Sequence, residues 1–376
     1  MTIYTERDLT HARAVITLRM PHVRRAAVTW NCALQKRTAD ALTKDGRDNM
    51  NAGNYKKTEY NDPFIAQRAD PYIVKADDGS FYFTASVPEY DRIVLRHSDT
   101  LMGLRDAEEK EIWHKHSGGK MSKHIWAPEL HFIDGGWYIY FAAGEEEDIW
   151  NIKPWVLHCK GMDPLNDEWE ECGNLKRAED DEFSFNSFSL DMTVFENKGK
   201  NYVIWAEKVN IGKAISNLYI AELESPTEMK TAQVLLTTPD YDWERVGFWV
   251  NEGPAVLHHN GRIFMTFSAS STGECYCMGM MTADESSDLL DPLSWKKDRY
   301  PVLKSDRELG FFGPGHNTFF KGEGDSDMMS YHSRTYDEIV GDPLYDPNRH
   351  CYIMKIVYDN TGRPVFDFKN NILKRV

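Results

Sequence analysis

Asn251-Glu252-Gly253-Pro254-Ala255-Val256 leads through the turn Asn260-Gly261 into Ile263-Phe264-Met265-Thr266-Phe267. A polar residue type suited to chemistry, an apolar strand, a tight turn and a second apolar strand follow one another here. The same order recurs in Arg68-Ala69-Asp70-Pro71-Tyr72-Ile73, Ile125-Trp126-Ala127-Pro128-Glu129-Leu130, Ser189-Leu190-Asp191-Met192-Thr193-Val194 and Gly313-Pro314-Gly315-His316-Asn317-Thr318. The accompanying turns are Asp78-Gly79, Asp134-Gly135-Gly136, Gly199-Lys200 and, less cleanly, Gly322 to Gly324. The period is about 60 residues, and a four-stranded antiparallel sheet with its loops needs about 40 to 60; such sheets repeated around an axis make a β-propeller. The expected fold is therefore all-β: a five-bladed β-propeller with four-stranded antiparallel blades and its active site on the central axis.

The strands bear this out. Tyr82-Phe83-Thr84-Ala85, Trp137-Tyr138-Ile139-Tyr140-Phe141 and Tyr202-Val203-Ile204-Trp205 are near-continuous apolar runs bounded by turn residues, as expected of strands covered on both faces. Counting back eleven residues from each second strand places Asp70, Trp126, Asp191 and Glu252 on one level, with His316 in the fifth repeat and Glu129 one step lower. Three carboxylates, an indole and an imidazole make a poor core, because an ionised carboxylate is costly to bury unless paired or solvated. The bland reading has them merely satisfying one another at the blade tops. The functional reading makes them a site.

The 376 residues carry a net charge of −15, which argues against nucleic-acid or anionic-membrane partners. Abundant aromatics (11 Trp, 18 Tyr, 18 Phe) suit sheet packing and sugar platforms alike. Six irregularly spaced cysteines, with Cys275-Tyr276-Cys277 too close for an ordinary disulfide, read as reduced thiols. No run approaches the ~20 apolar residues of a membrane span. Arg13, Arg19, Arg24 and Arg25 interrupt the only apolar region near the N-terminus, so no signal-type stretch is seen and a cytoplasmic protein is expected. The first 50 residues hold nine Lys/Arg and five Asp/Glu and contain no repeat. Residues 1–60 are read as a poorly ordered extension and linker, and 61–376 as the propeller domain.

Two carboxyl groups facing across a wet pocket can hydrolyse a glycoside: one protonates the leaving oxygen and the other, ionised, activates water or attacks carbon. A third carboxylate holds the acid's pKa up, since like charges resist joint ionisation. Trp126 offers a flat apolar face, and His316 a hydrogen bond to substrate or a ligand for a hydrated cation.

Arg68-Ala69-Asp70-Pro71, Trp126-Ala127-Pro128-Glu129, Ser189-Leu190-Asp191 and Asn251-Glu252-Gly253-Pro254, in this order and spacing, resemble glycoside hydrolase family 43 from about residue 61 to the C-terminus. That resemblance implies a five-bladed propeller and an inverting hydrolase of arabinose- and xylose-containing polymers. It implies Asp70 as general base, Glu252 as general acid and Asp191 as the residue that raises and orients the acid. It further implies a calcium ion held through water by His316, with no cofactor required for the chemistry, and a sugar contact from Arg334 in Tyr331-His332-Ser333-Arg334. Ser86 to Arg92, Gly341 to His350 and Gly247-Phe248-Trp249-Val250 look like members that are α-L-arabinofuranosidases, including exo-acting ones on α-1,5-arabinan. Phe248 and Trp249 would then wall the pocket, although Trp249 equally suits an inter-blade core. The expected substrate is an arabinose-containing oligosaccharide.

Three alternatives remain at this stage. A β-xylosidase would use the same ring. The fructan-hydrolase relatives are disfavoured because Glu252 is followed by Gly253-Pro254 and not by Cys. A non-catalytic carbohydrate-binding propeller would have no need of all three carboxylates.

Overall fold

A computed structural model describes residues 57–211 and 213–372. Helical structure among them is confined to short 3-10 turns, and the rest is strand, turn and loop. The protein is all-β. The expected extension lies outside the described residues, as does most of the linker. At its end, Thr58 Oγ1 donates to the Leu309 carbonyl (2.7 Å) and Asn61 Nδ2 to that of Gly310 (3.0 Å), so the chain is already fastened to the β domain there.

The first sheet is a meander of β1 (Ala69–Lys75), β2 (Phe81–Ser86), β3 (Arg92–Ser98) and β4 (Lys110–His114), and the second one of β5 (Lys123–Ile133), β6 (Gly136–Gly144), β7 (Lys153–Cys159) and β8 (Trp169–Asn174). A nine-stranded sheet follows. It joins β9 (Ser189–Asn197), β10 (Lys200–Ile211), β11 (Lys213–Ser225), β12 (Glu228–Met229) and β13 (Val234–Thr237) to β14 (Trp249–His259), β15 (Arg262–Ala269), β16 (Cys277–Asp284) and β17 (Lys296–Lys297). Its two antiparallel halves are joined by a short parallel pairing of Ile215 and Ser216 of β11 with Trp249 and Val250 of β14. The last large sheet is β18 (Phe312–Lys321), β19 (Asp327–Arg334) and β20 (His350–Lys355).

The continuous apolar runs are explained by what covers each face. Successive side chains of a strand point to opposite sides. On β6, Ile139 and Phe141 join a cluster with Ile93 and Leu95 of the first sheet, whereas Tyr140 joins one with Val203 and Trp205 of β10. On β15, Ile263 and Met265 pack with Ile204 and Ile220, whereas Phe264 packs with Met329 and Tyr331 of β19. A further cluster joins Phe81 and Phe83 of β2 to Cys351 and Ile353 of β20, so the first and last sheets also share a core. The hairpins at Asp134-Gly135 and Asn260-Gly261 turn where expected, and the one expected at Gly199-Lys200 is centred a residue earlier, on Lys198-Gly199; all three pairs have positive φ at both residues, the geometry that matches strand twist.

Candidate active site

The first strand of each meander is broken by a bulge, and the bulges build the site. In β1 the register slips between Ala69 and Tyr72, in β5 between Trp126 and Glu129, in β14 between Glu252 and Ala255, and in β18 between Gly315 and Thr318; β9 slips across Asp191 and Met192, opposite Trp205 of β10. The first bulged residue in each case has positive φ: Asp70 (51°), Ala127 (46°), Asp191 (55°), Gly253 (54°) and His316 (43°). Asp and His tolerate this conformation better than most residues. A bulge re-aims its side chain, which is how a strand delivers a polar group to an axis.

The level ring expected from counting is therefore two rings. Asp70, Asp191 and His316 occupy the bulge position, which Ala127 and Gly253 fill in the other two repeats. Trp126 and Glu252 sit one residue earlier, equivalent to Ala69, Leu190 and Gly315. Counting from the second strand hides the step because Tyr202 lies one pair further from its turn than Trp137 and Ile263 do, and the turn before Phe81 is longer than the others. Gly253 has a further reason to be glycine: a Cβ there would come within 3.1 Å of the His316 ring.

Four bulge amides are captured by side chains of other meanders. Ala127 N–H donates to Ser86 Oγ (2.8 Å), Gly253 N–H to Asp191 Oδ2 (3.0 Å), His316 N–H to Ser268 Oγ (2.7 Å) and Asp70 N–H to His332 Nδ1 (3.1 Å). These bonds satisfy donors that the bulge removes from the ladder and tie the first strands to their neighbours.

The carboxylates and His316 line one cavity of about 470 Å³, within the usual range for a small-ligand site. Trp126, Phe248 and Trp249 line it too. Phe248 is 66% exposed, and Trp150, from the loop after β6, is 46% exposed; these are the open aromatic faces. Trp126 is only 7% exposed and stacks on His124 (ring centroids 4.5 Å apart), so little of its face is free as a platform. Glu129 does not line the cavity: it pairs with His131 (2.8 Å), which also meets the Tyr72 hydroxyl (3.2 Å).

Arg334, expected to touch sugar, lies behind the wall. It is 1% exposed, and its guanidinium binds Asp346 Oδ1 (3.1 Å) and the carbonyls of Thr272 and Pro343 (both 2.7 Å), which spends its donors on holding loops. The arginine in the cavity is Arg349. Its Nη1 lies 3.4 Å from Asp70 Oδ1, and its Nη2 donates to the Tyr90 hydroxyl (2.7 Å). Sequence reading also passed over Tyr276, whose hydroxyl donates to Glu252 Oε1 (2.8 Å), and Lys208, whose Nζ lies 3.7 Å from the centre of the Phe188 ring. No local signal marks them, because Lys208 comes from a second strand and Tyr276 from a loop, both away from the motifs at the starts of the first strands.

The surroundings divide the carboxylates. Burial by itself would raise Asp70, but His316 and Arg349, with His332, outweigh it and hold this carboxyl well below the usual range. Burial pushes Asp191 up to about 7, against His316 and with the added repulsion of Glu252 and Asp70. Burial likewise raises Glu252, against the Tyr276 hydroxyl, His316 and Lys208. His316 is raised: burial opposes its charge, but Asp70, Asp191, Glu252 and Glu129 outweigh burial. One carboxylate is thus kept ionised beside cations, while two coupled carboxyls retain a proton between them.

A directly liganded calcium does not fit this donor set. Ca²⁺ takes about six to eight oxygen ligands, and among the described residues no three His, Cys, Asp or Glu side chains are grouped to hold a metal. His316 turns its Nδ1 to Asp70 Oδ1 (3.2 Å).

The sequence profile of glycosyl hydrolases family 43 matches residues 60–364. The chain belongs to glycosyl hydrolase family 43. Its relatives in that family include the extracellular exo-α-(1→5)-L-arabinofuranosidase of Streptomyces avermitilis, 46% identical over 308 residues that cover 82% of this chain and 63% of the relative. The enzyme of the same name from Streptomyces chartreusis is 48% identical over 285 residues, 76% of this chain and 85% of the relative. Among solved structures, the α-L-arabinofuranosidase of Lactobacillus brevis superposes with a TM-score of 0.76 at 49% identity, over 81% of this chain and 95% of that one. The chain thus spans under two thirds of the first relative's length. Both Streptomyces family 43 relatives are named extracellular, which overturns the expectation of a cytoplasmic protein. That expectation rested on unpaired thiols and on an N-terminus without an apolar run, and neither feature fixes a compartment.

Proposed function

We propose that this family 43 chain is an inverting, exo-acting α-L-arabinofuranosidase that releases terminal α-L-arabinofuranose from arabinan or arabino-oligosaccharides outside the cell. The observation that carries the reading is the placing of Asp70 and Glu252 in one cavity with opposed surroundings, cations holding the first carboxyl low and burial raising the second. Glu252 gives its proton to the glycosidic oxygen as the bond from the anomeric carbon breaks, and the electron pair leaves with that oxygen. Water attacks the anomeric carbon from the opposite face while Asp70 accepts its proton. Asp191 keeps the acid's pKa up by like charge and orients the strand through Gly253 N–H. His316 and Arg349 keep Asp70 ionised. The names of the Streptomyces and Lactobacillus relatives support arabinofuranose as the sugar.

The scaffold we propose is a five-bladed propeller. Its support is the sequence of inter-sheet cores, which runs from the first sheet to the last and back to the first, and the capture of bulge amides by side chains of other meanders.

The deciding experiment compares nitrophenyl α-L-arabinofuranoside with nitrophenyl β-D-xylopyranoside, using wild type and Glu252→Gln. Preference for the arabinoside is expected, and product from an oligosaccharide should appear first as the inverted β-anomer by NMR. Preference for the xyloside would overturn the substrate, and first-formed α-anomer would overturn the inverting mechanism.

A further inference from the structure

Tyr276 precedes β16 and lies in the cavity wall with its ring fully buried. Its hydroxyl donates to Glu252 Oε1 at 2.8 Å. Its ring stacks on His332, centroids 5.6 Å apart and planes within 9°. His332 in turn accepts from the Asp70 amide at 3.1 Å, and its Nδ1 stands 3.2 Å from Asp70 Oδ1. The proposed acid and the proposed base are therefore each held by one member of a single aromatic stack. The chain makes room for that stack at Gly315, where a Cβ would come within 2.4 Å of the Tyr276 ring.

A carboxyl group has two oxygens, and an acid must present the protonated one to the leaving group. We propose that Tyr276 is a positioning residue: by occupying Glu252 Oε1 it leaves the catalytic proton on Oε2, and by stacking on His332 it fixes the acid relative to Asp70. The proposal rests on the acid and base roles given above. Burial, with Glu252 and Asp191 nearby, raises the phenol well above its ordinary value, so the hydroxyl stays a donor at every working pH. In the step itself the Oε2–H bond breaks and an O–H bond forms on the leaving oxygen. Tyr276 keeps its own proton throughout.

The test uses the full chain and two substrates, α-1,5-arabinobiose, whose leaving group needs the proton, and nitrophenyl α-L-arabinofuranoside, whose leaving group hardly does. Tyr276→Phe keeps the stack and deletes the donor. Turnover of arabinobiose should fall roughly 10- to 100-fold, as for a misplaced catalytic group, with little change in KM. The nitrophenyl substrate should lose less than about threefold, because it leans little on the acid. The alkaline limb of the arabinobiose profile should move to higher pH, since the Tyr276 donor lowers Glu252 and its loss lets the carboxyl rise. Gly315→Ala keeps the hydroxyl but displaces the ring, and should lower turnover of both substrates together with Tm, as overpacking a buried site does. Equal losses on both substrates in Tyr276→Phe with an unmoved alkaline limb would mark a merely structural tyrosine. Unaltered rates in Gly315→Ala would overturn the spacing role. An inactive wild-type protein would take the activity reading down as well, whereas a normal Tyr276→Phe beside an active wild type and a dead Glu252→Gln overturns this inference alone.

Discussion

His316 Nδ1 stands 3.2 Å from Asp70 Oδ1, at the point where the bulges of β18 and β1 face each other. Each group stabilises the other's charged form: Asp70 is among the influences that raise His316, and His316 is among those that lower Asp70. His316 is thus a counter-charge of Asp70. Asp191 Oδ2, at 3.9 Å from the same nitrogen, shares it less closely.

Arg349 is the second cation on Asp70. A base works when ionised, so activity is lost as pH falls through its pKa. Arg349→Gln removes a lowering influence and lets Asp70 rise. The acidic limb of kcat/KM should move to higher pH, and kcat should fall by about 10²-fold, the scale of a compromised base. An acidic limb that stays in place would show that Arg349 does not govern the base.

Asp191 acts on the other limb. An acid works when protonated, so activity is lost as pH rises through its pKa. Replacing Asp191 by Asn removes a like charge from the coupled pair, and Glu252 should then release its proton at lower pH. The alkaline limb should shift down, with a loss in kcat of about 10²-fold, when the profile is measured on an arabino-oligosaccharide. A limb that moves up would reverse the assignment of acid and modulator.

Arg334 makes a stability prediction and not a catalytic one. Arg334→Ala leaves Asp346 buried without its cation, and the Thr272 and Pro343 carbonyls without donors. Breaking a buried pair costs about 3–5 kcal/mol, so urea unfolding should show a loss of that size. An unchanged unfolding midpoint would mean that the loop finds other partners.

Chelation should leave turnover unchanged. The axial groups are matched to one another by charge, and no direct metal cage exists among the described residues. The check is kcat on arabinobiose before and after exhaustive dialysis against EDTA. A loss restored by Ca²⁺ would place an ion in the working site.

Much of this was readable from short stretches. Glu252, Asp191 and Asp70 sit at the starts of strands defined by their own neighbours, with turn pairs such as Asn260-Gly261 close behind, and both signals are local. Arg334 and Arg349 show the opposite case. Both lie near the last strands and look alike in sequence, yet one points into a wall of carbonyls and the other into the cavity. Tyr276, between two cysteines, carries no local signal and donates to Glu252 Oε1.

By itself the sequence determined the all-β class, the repeat and the three carboxylates, because strand hydrophobicity and turn conformation depend on residues a few positions apart. Only the tertiary structure decided the rest: the one-residue step that separates Asp70 and Asp191 from Glu252, the arginine that faces Asp70, and the burial and neighbouring charges that shift each group. The reason is physical. A bulge is resolved only by register against a partner strand, and a pKa depends on burial and on charges that arrive from sheets distant in the chain.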